Sequence, residues 1–164
     1  MKEITLETLK LVSFNKKDLN HLKFLKELQN DSDITKWFNG LTGGLLHHQE
    51  IEPFGCSFFV ALKDNTLIGY INIGNYYKAE KTLFLRGAIH ESVRGKGAGK
   101  RMLLEVSNYL FLNYLQLESI ILKIDIDNKK SLNVADACGY KWYERDYYIK
   151  YNPYLVQTEM KLGC

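Results

Sequence analysis

The stretch from His90 to Val106 reads HESVRGKGAGKRMLLEV and places three glycines and four basic residues within positions 94 to 101. An apolar repeat with helical spacing follows at once. The start of a helix leaves its first N–H groups unpaired and carries about half a positive charge. Glycines before such a start let the main chain approach an anion, because no Cβ stands in the way. The stretch therefore predicts an anion cradle, with phosphate as the expected guest.

Two familiar phosphate loops do not fit this spacing. A Walker loop needs Gly-Lys followed by Ser or Thr, whereas Lys100 is followed by Arg101. A dinucleotide loop needs its third glycine at a position that Lys100 or Met102 occupies. Neither a nucleoside triphosphate nor a Rossmann cofactor is therefore expected at this loop.

The composition of the whole chain indicates a single globular domain over residues 1–164, with 46% hydrophobic and 25% charged residues. The net charge of +3 permits an anionic ligand but does not mark an obligate nucleic-acid binder. Three widely spaced cysteines indicate neither a disulfide framework nor a zinc site. No signal peptide or membrane span is expected, so we interpret the chain as a soluble, cytoplasmic protein.

Strands and helices alternate around the loop. A strand near 9–14 precedes a helix that Asn15 or Asp18 caps, and its leucines recur at positions 19, 22, 25 and 28. The runs CSFFVAL and TLIGYINIG predict an antiparallel hairpin, and TLFLRGAIH predicts the strand that enters the loop. Residues 31–55 read as a short helix and loops that cover a substrate.

Beyond the loop the pattern predicts a helix, a strand, a short helix and a last strand. The first helix has a shared apolar face of Leu103, Val106, Leu110 and Tyr114. SIILKIDID alternates as a strand does, and Gly139 stops the next helix. KWYERDYYIKY reads as one Tyr-rich strand.

The loop fits the pattern Q/R-x-x-G-x-G/A through Arg94, Gly97 and Gly99, and here the sequence resembles the GNAT superfamily of acyl-CoA-dependent N-acyltransferases. In that family the loop binds the pyrophosphate of coenzyme A. The resemblance implies an α/β fold with a central twisted, mostly antiparallel sheet and helices on both faces. It also implies that two parallel strands, here 83–90 and 120–127, splay apart where one is bulged, so that the pantetheine arm inserts between them.

The segment IILKIDIDNKKSLNVADACGY extends the resemblance through Asn128, Ser131, Gly139 and Tyr140, so that it covers roughly residues 82 to 145. The spacing of Asn128, Ser131 and Ala135 is most similar to the Rim-type branch. That branch acetylates the N-termini of ribosomal proteins and includes relatives that act on small amines.

The resemblance implies a set of contacts to acetyl-CoA, the acyl donor. The strand before the loop offers the main chain of Ala88, Ile89 and His90 to pantetheine, and a backbone N–H near Ile89 is the expected oxyanion donor. The pyrophosphate cradle comprises Arg94, Gly95, Lys96, Gly97, Ala98, Gly99 and Lys100. Asn128 and Ser131 contact the other side of the arm.

The resemblance also implies catalytic groups. Many members carry a Tyr acid seven residues after the Asn, but Ala135 stands there in this chain. In the Rim-type branch the Ser of this helix has that part, so the resemblance implies Ser131 as the proton donor to the departing thiolate. Asp125, read on the polar face of its strand, is the expected base, with Glu144 and His90 as alternatives.

Plainer roles stay open for the same residues. The basic turn is alternatively a solvated surface or a clamp on nucleic acid, which the downstream motif makes the lesser expectation. Asn128 and Ser131 are alternatively a helix N-cap pair, a role compatible with cofactor binding. The pair His47 and His48 has no Cys or carboxylate partner at ligand spacing, so no metal is expected.

We conclude from the sequence that the chain is an acetyl-CoA-dependent N-acetyltransferase acting on a primary amine, with a protein N-terminus as one acceptor. A small-molecule acetyltransferase and a non-catalytic acyl-CoA-binding or nucleic-acid-binding module stay open, as do the monomeric and homodimeric states. Acidic residues are expected to line the acceptor side, opposite the cationic loop: Asp31, Asp33, Glu50, Glu52 and Glu144.

Overall fold

The computed structural model describes residues 3–37 and 53–155, and its strands form one eight-stranded sheet. The strands are β1 (Glu3–Thr5), β2 (Leu9–Val12), β3 (Cys56–Leu62), β4 (Leu67–Ile73), β5 (Thr82–Ile89), β6 (Ser119–Lys123), β7 (Lys141–Glu144) and β8 (Tyr147–Tyr151). The helices are α1 (Leu19–Asn30), α2 (Ser32–Trp37), α3 (Ala98–Asn113) and α4 (Lys129–Ala137). None of the described helices has the length and apolar character that crossing a lipid bilayer requires.

The strands lie in the order β1-β2-β3-β4-β5-β6-β8-β7. Neighbouring strands are antiparallel throughout, except that β5 and β6 are parallel. Helix α3 makes the crossover that a parallel pair needs. The expected α/β fold, with a mostly antiparallel sheet and one parallel pair, is confirmed.

Two apolar clusters hold helices against opposite faces of the sheet. The larger cluster packs α3 and α4 on one face and includes Phe58, Val106 and Phe111. The smaller cluster lies under α1 and α2 and consists of Phe24, Leu28, Ile34, Phe59 and Tyr70. Phe58 and Phe59 are neighbours in β3 that point to opposite faces, and both are fully buried. Because β3 is covered on both sides, it reads in the sequence as a continuous apolar run.

Helix α1 begins after Asp18, which caps it as predicted. Its buried face differs from the predicted row of leucines: Leu19 is 80% exposed and Leu22 41% exposed, whereas Phe24 and Leu28 are buried. A spacing of three residues drifts by about 60° per step around a helix of 3.6 residues per turn. Leucines repeated at that spacing therefore move progressively around the helix and cannot all lie on its buried face.

The second half of the chain departs from the prediction in two places. The strand predicted to run to Asp127 ends at Lys123, so Asp125 lies in the turn that follows. The predicted last strand is a hairpin of β7 and β8, in which Arg145 adopts a φ of 49° and reverses the chain. At the other end of the chain, β1 has no counterpart in the prediction.

A buried carboxylate ties the first hairpin to α3. Glu105 is 6% exposed, and its oxygens accept the N–H and hydroxyl of Thr8 and the N–H of Leu9, the last at 3.2 Å. These donors lie where the chain passes from β1 to β2. Thr8 is 97 residues away from Glu105 in the sequence. An N–H group buried without a partner costs about 1–3 kcal/mol. Glu105 therefore removes that cost where the hairpin packs against the helix.

Replacing Glu105 with Ala is expected to lower the free energy of unfolding by about 2 kcal/mol, because it leaves the N–H groups of Thr8 and Leu9 without an acceptor. Glu7→Ala is the control, since Glu7 lies in the same turn but is exposed, and it is expected to change that free energy by less than about 0.5 kcal/mol. Urea unfolding followed by circular dichroism measures both. Equal losses in the two variants would contradict the anchoring role.

Candidate functional site

The parallel pair opens at the end of β5. The last pair of its register with β6 joins Leu85 to Leu122. Strand β5 continues to Ile89, whereas β6 ends at Lys123. The two strands therefore diverge, and residues 86–89 of β5 have no strand beside them on that edge among the described residues. This gap is named the strand opening below.

Alternate residues of β5 direct their main-chain groups into the strand opening. His90 donates its N–H to the carbonyl of Ile68 in β4 at 2.8 Å. Since peptide groups alternate sides along a strand, Ala88 also faces β4, while Gly87 and Ile89 face the opening. Of the three predicted pantetheine contacts, only Ile89 turns its main chain to this side. Gly87 is an addition that the register reveals and the sequence motif does not.

The irregularity that accompanies the opening lies in β4. The register between β3 and β4 shifts between Val60 and Ala61, which leaves Ile68 as the extra residue of a bulge. The resemblance implied a bulge in one of the parallel strands themselves, and the structure places it in their neighbour instead. The bulged residue is the one whose carbonyl binds His90.

The glycine loop has the geometry of an anion cradle. Gly95 and Gly97 adopt φ angles of 74° and 80°, and a Cβ built on either would meet no atom within 4 Å. Gly97 is the N-cap of α3 and provides no side-chain cap. Within residues 3–37 and 53–155, the N–H groups of residues 95–100 donate no hydrogen bond. The loop therefore keeps both donors and space beside the positive end of a helix dipole.

Three elements meet beside the loop. A Cβ built on Gly99, in the first turn of α3, would lie 3.7 Å from Cγ1 of Ile89 and 3.8 Å from Cγ2 of Val134. Ser131 precedes Val134 by three residues, so the two lie on the same side of α4. The structure thus brings together the end of β5, the start of α3 and the side of α4 that carries Ser131.

The guanidinium of Arg94 is engaged with α2 and β5. Its Nη2 donates to Oδ2 of Asp31 at 2.7 Å, and its Nε donates to the carbonyl of Ile89 at 3.1 Å. Its Nη1 lies 3.5 Å from Oδ2 of Asp33. Arg94 therefore ties the glycine loop to the start of α2 with the side chain that the motif assigns to the cradle.

Asp31 is ionised in this contact. Burial acts to raise its pKa, but the hydrogen bond from Arg94 and the main-chain bonds from Ile34 and Asp33 outweigh burial and hold the pKa below its usual value. The expected separation of charge is wrong for Asp31 and Asp33, because both carboxylates face the cationic loop rather than an opposite mouth.

The other charged residues of that expectation lie elsewhere. Glu144 is exposed in the edge strand β7, and Glu50 and Glu52 lie outside the described residues, as do His47 and His48. Of the remaining loop cations, Lys96 donates from Nζ to the carbonyl of Ser92 at 3.3 Å, and Lys100 is exposed. Ala98 buries its methyl group in the core at 8% exposure.

The start of α4 shows the capping role that the sequence left open. Asn128 is the N-cap, and its Oδ1 accepts the N–H of Ser131 at 3.3 Å. Ser131 is half-buried, whereas Ala135, where many relatives carry Tyr, is fully buried. A tyrosine at 135 would have to enter the core from this position.

Asp125 lies in the turn between β6 and α4, not on the polar face of a strand. Its Oδ1 accepts the N–H of Asp127 at 2.8 Å, and its carbonyl accepts the N–H of Asn128 at 2.9 Å. The side chain is exposed. The strand placement is therefore wrong because the alternation of SIILKIDID continues into the turn, and the structure gives the carboxylate a local structural bond.

His90 is held on both ring nitrogens. Ser92 donates its N–H to Nδ1 at 3.1 Å, and Nε2 lies 3.0 Å from Oε2 of Glu27. The ring stacks on Phe24 with centroids 5.2 Å apart. The residue thus caps the turn after β5 and contacts α1.

A row of polar residues that the sequence analysis missed crosses the face of the sheet that carries α1 and α2. Ser57 pairs with Asn72 and Asn72 with Arg86, so the row ends beside the strand opening. Asn72 donates to Oγ of Ser57 at 2.8 Å, and that Oγ lies 2.9 Å from the hydroxyl of Tyr70. Burial raises the pKa of Tyr70, although hydrogen bonds from Ser57 and Arg86 act against it. Polar residues at alternate positions of an apolar strand are the available sequence signal.

Residues 22–140 match the model of the acetyltransferase (GNAT) family. Among solved structures, the chain is similar to an acetyltransferase of the GNAT family from Bacillus anthracis, at a TM-score of 0.72 and 21% identity, covering 92% of this chain and 99% of that chain. A comparison with curated proteins finds no match.

The fold is also similar to that of RimL, a ribosomal L7/L12 alpha-N-protein acetyltransferase in complex with coenzyme A, at a TM-score of 0.70, 16% identity and coverage of 92% and 98%. Spermidine N-acetyltransferase from Vibrio cholerae, in complex with CoA and spermine, gives a TM-score of 0.68, 17% identity and coverage of 91% and 98%. Since the family model spans most of the chain and includes the glycine loop, the protein belongs to the GNAT family of acetyl-CoA-dependent N-acetyltransferases.

Proposed function

We propose that this protein transfers the acetyl group of acetyl-CoA to the α-amine of a polypeptide N-terminus. The observation that supports the proposal is the position of the strand opening directly before the glycine loop. There, an edge of β5 with outward main-chain groups leads into a loop whose N–H groups and helix dipole suit an anion.

Coenzyme A fits the residues around this opening. The main chain of residues 95–100 suits its pyrophosphate, and Gly87 and Ile89 present an edge that an extended pantetheine arm completes as an added strand would. Asn128 and Ser131 are proposed to contact the arm from the α4 side, and Arg94 to hold the loop in place. Acetyl-CoA supplies the thioester that the amine attacks.

The proposed catalytic groups come from the two walls of the opening. The N–H of Ile89 is the proposed donor to the oxygen on which negative charge develops. The hydroxyl of Ser131 is proposed to pass a proton to the departing thiolate and to regain one from solvent water, so that no serine alkoxide is left. Asp125 is the proposed proton acceptor: its Oδ1 accepts the N–H of Asp127, which leaves Oδ2 to take the proton.

The acceptor class follows from the demand for a base. An α-amine has a pKa of about 8, whereas a lysine or polyamine has one of about 10.4 and needs more help to lose its proton. His90 and Asp125 both hold structural hydrogen bonds. In addition, the carboxylates of Asp31 and Asp33 face Arg94, so neither is free to attract a polycation. These charges favour a single α-amine over a polycation.

The proposed activity is tested by incubating the protein with acetyl-CoA and a panel of amines while measuring free thiol. A peptide with an open N-terminus is expected to release thiol, and the same peptide blocked by an N-acetyl group is not. Spermidine and an aminoglycoside are expected to react more slowly. Faster turnover of spermidine would contradict the acceptor class, and no thiol release with any amine would contradict the proposed transfer.

The cradle is tested by two substitutions of equal size at Gly97. Asn and Asp both tolerate a left-handed φ better than most residues, and both fill the same space. Both are expected to weaken acetyl-CoA binding, and Gly97→Asp is expected to bind at least about tenfold more weakly than Gly97→Asn because its charge faces the phosphates. Titration calorimetry measures the dissociation constants. Equal affinities in the two folded variants would mean that no anion binds there.

Replacing Ser131 with Ala is expected to lower kcat by roughly tenfold to a thousandfold, the range for one proton-transfer group, with the dissociation constant for acetyl-CoA close to that of the parent. Asn133→Ala, at an exposed position of the same helix, is the control and should leave kcat unchanged. Steady-state kinetics with a reactive peptide checks this. A loss confined to KM for acetyl-CoA would show that Ser131 only positions the arm.

A further inference from the structure

One side chain connects three parts of the molecule that are far apart in sequence. Arg94 belongs to the glycine loop, and it donates to the carbonyl of Ile89 at the end of β5 and to Asp31 at the junction of α1 and α2. Both nitrogens of its fork contact the Asp31 carboxylate, at 2.7 and 3.4 Å. The side chains of Arg94 and Asp31 are 27% and 8% exposed. A two-point ionic contact with this little exposure is stronger than an ordinary surface pair.

Helix α2 depends on the same carboxylate. Oδ1 of Asp31 accepts the N–H groups of Asp33 at 3.0 Å and Ile34 at 3.3 Å, and its carbonyl accepts the N–H of Thr35 at 2.9 Å. The helix has six residues, with Ile34 as its buried anchor. Helices of this length are not stable by themselves in water. The order of α2 therefore depends on how firmly Asp31 is held.

Helix α1 has separate attachments to the same region. Glu27 contacts Nε2 of His90 at 3.0 Å, Phe24 stacks on the His90 ring, and Phe24 and Leu28 are buried against the sheet. These contacts do not involve Arg94. Loosening the bond between Arg94 and Asp31 should therefore affect α2 far more than α1.

We propose that Arg94 and Asp31 are positioning residues that couple coenzyme binding at the glycine loop to the order of α2. The inference rests on the coenzyme site proposed above. A ligand that fixes the loop also fixes the guanidinium, which restrains the N-cap of α2 and suppresses its fraying. Linkage is reciprocal, so an ordered α2 also favours the ligand-bound loop.

The variant that isolates this contact is Asp31→Asn. Asn is as good an N-cap as Asp, so the cap of α2 is kept, but the charge that holds Arg94 is removed. Asp33→Asn is the matched control. It removes one charge from the same turn, yet the Asp33 side chain is 66% exposed and lies 3.5 Å from Nη1 of Arg94.

Hydrogen exchange followed by mass spectrometry, with coenzyme A as the ligand, measures the protection of the glycine loop and of α2 separately. In the parent, coenzyme A is expected to slow exchange in peptides covering 93–101 and also, by about threefold or more, in a peptide covering 31–37. In Asp31→Asn the loop peptide is still protected, but the α2 peptide is not. In Asp33→Asn both are protected. Calorimetry should show that Asp31→Asn weakens coenzyme A binding by a similar small factor.

Two outcomes overturn the coupling: equal protection of α2 in Asp31→Asn and the parent, or a parent in which the loop is protected and α2 is not. Failure of the parent to bind coenzyme A, with no protection of the loop, would overturn the proposed coenzyme site and the coupling together. The loop peptide thus reports the site, and the α2 peptide reports the coupling.

Discussion

Strand β5 extends beyond the end of its partner β6. A strand with one unpaired edge must be held in place by contacts on its other sides. On one edge it is paired with β4 up to Ile89. On the face toward α3, a Cβ at Gly87 would lie 2.7 Å from the carbonyl oxygen of Tyr70 and 2.8 Å from Cε of Met102, so the backbone packs where a side chain would not fit. At its end, the Ile89 carbonyl accepts a bond from Arg94. These supports hold β5 and leave Gly87 and the N–H of Ile89 without a strand partner among the described residues, which is the condition for a ligand to complete the sheet.

In the glycine loop the side-chain donors and the main-chain donors differ in whether they already have partners. Arg94 donates to Asp31, and Lys96 donates to the carbonyl of Ser92. The N–H groups of residues 95–100, in contrast, donate to no acceptor within the described residues. Main-chain donors are fixed by the fold and lose little conformational freedom when they bind, unlike the long side chains of Lys and Arg. The two glycines that turn this loop have left-handed φ angles of 74° and 80°.

The sequence predicts those parts whose signals are local. Leu103, Val106 and Leu110 follow the true helical period, and all three are buried in α3. The glycine motif, the cap at Asn128 and the stop at Gly139 likewise depend on near neighbours. The hairpin of β7 and β8 is missed because Arg145 makes its turn without Gly or Asn. The hydrogen bond between Arg94 and Asp31 joins residues 63 positions apart. The side to which the main chain of Gly87 points depends on the register with β4. Neither feature can therefore be predicted from a single stretch of sequence.

The two tryptophans of the chain lie away from its main apolar packing. Trp142 is 65% exposed in the edge strand, where its indole N–H donates to the carbonyl of Arg145 at 2.9 Å. Trp37 ends α2, with the ammonium of Lys36 at 4.6 Å from its ring centroid. The buried clusters of the described residues are filled by Phe, Tyr and aliphatic side chains instead. Indole emission from this protein therefore reports on a sheet edge and on α2, and a Trp142→Phe variant leaves Trp37 as a built-in optical probe of that helix.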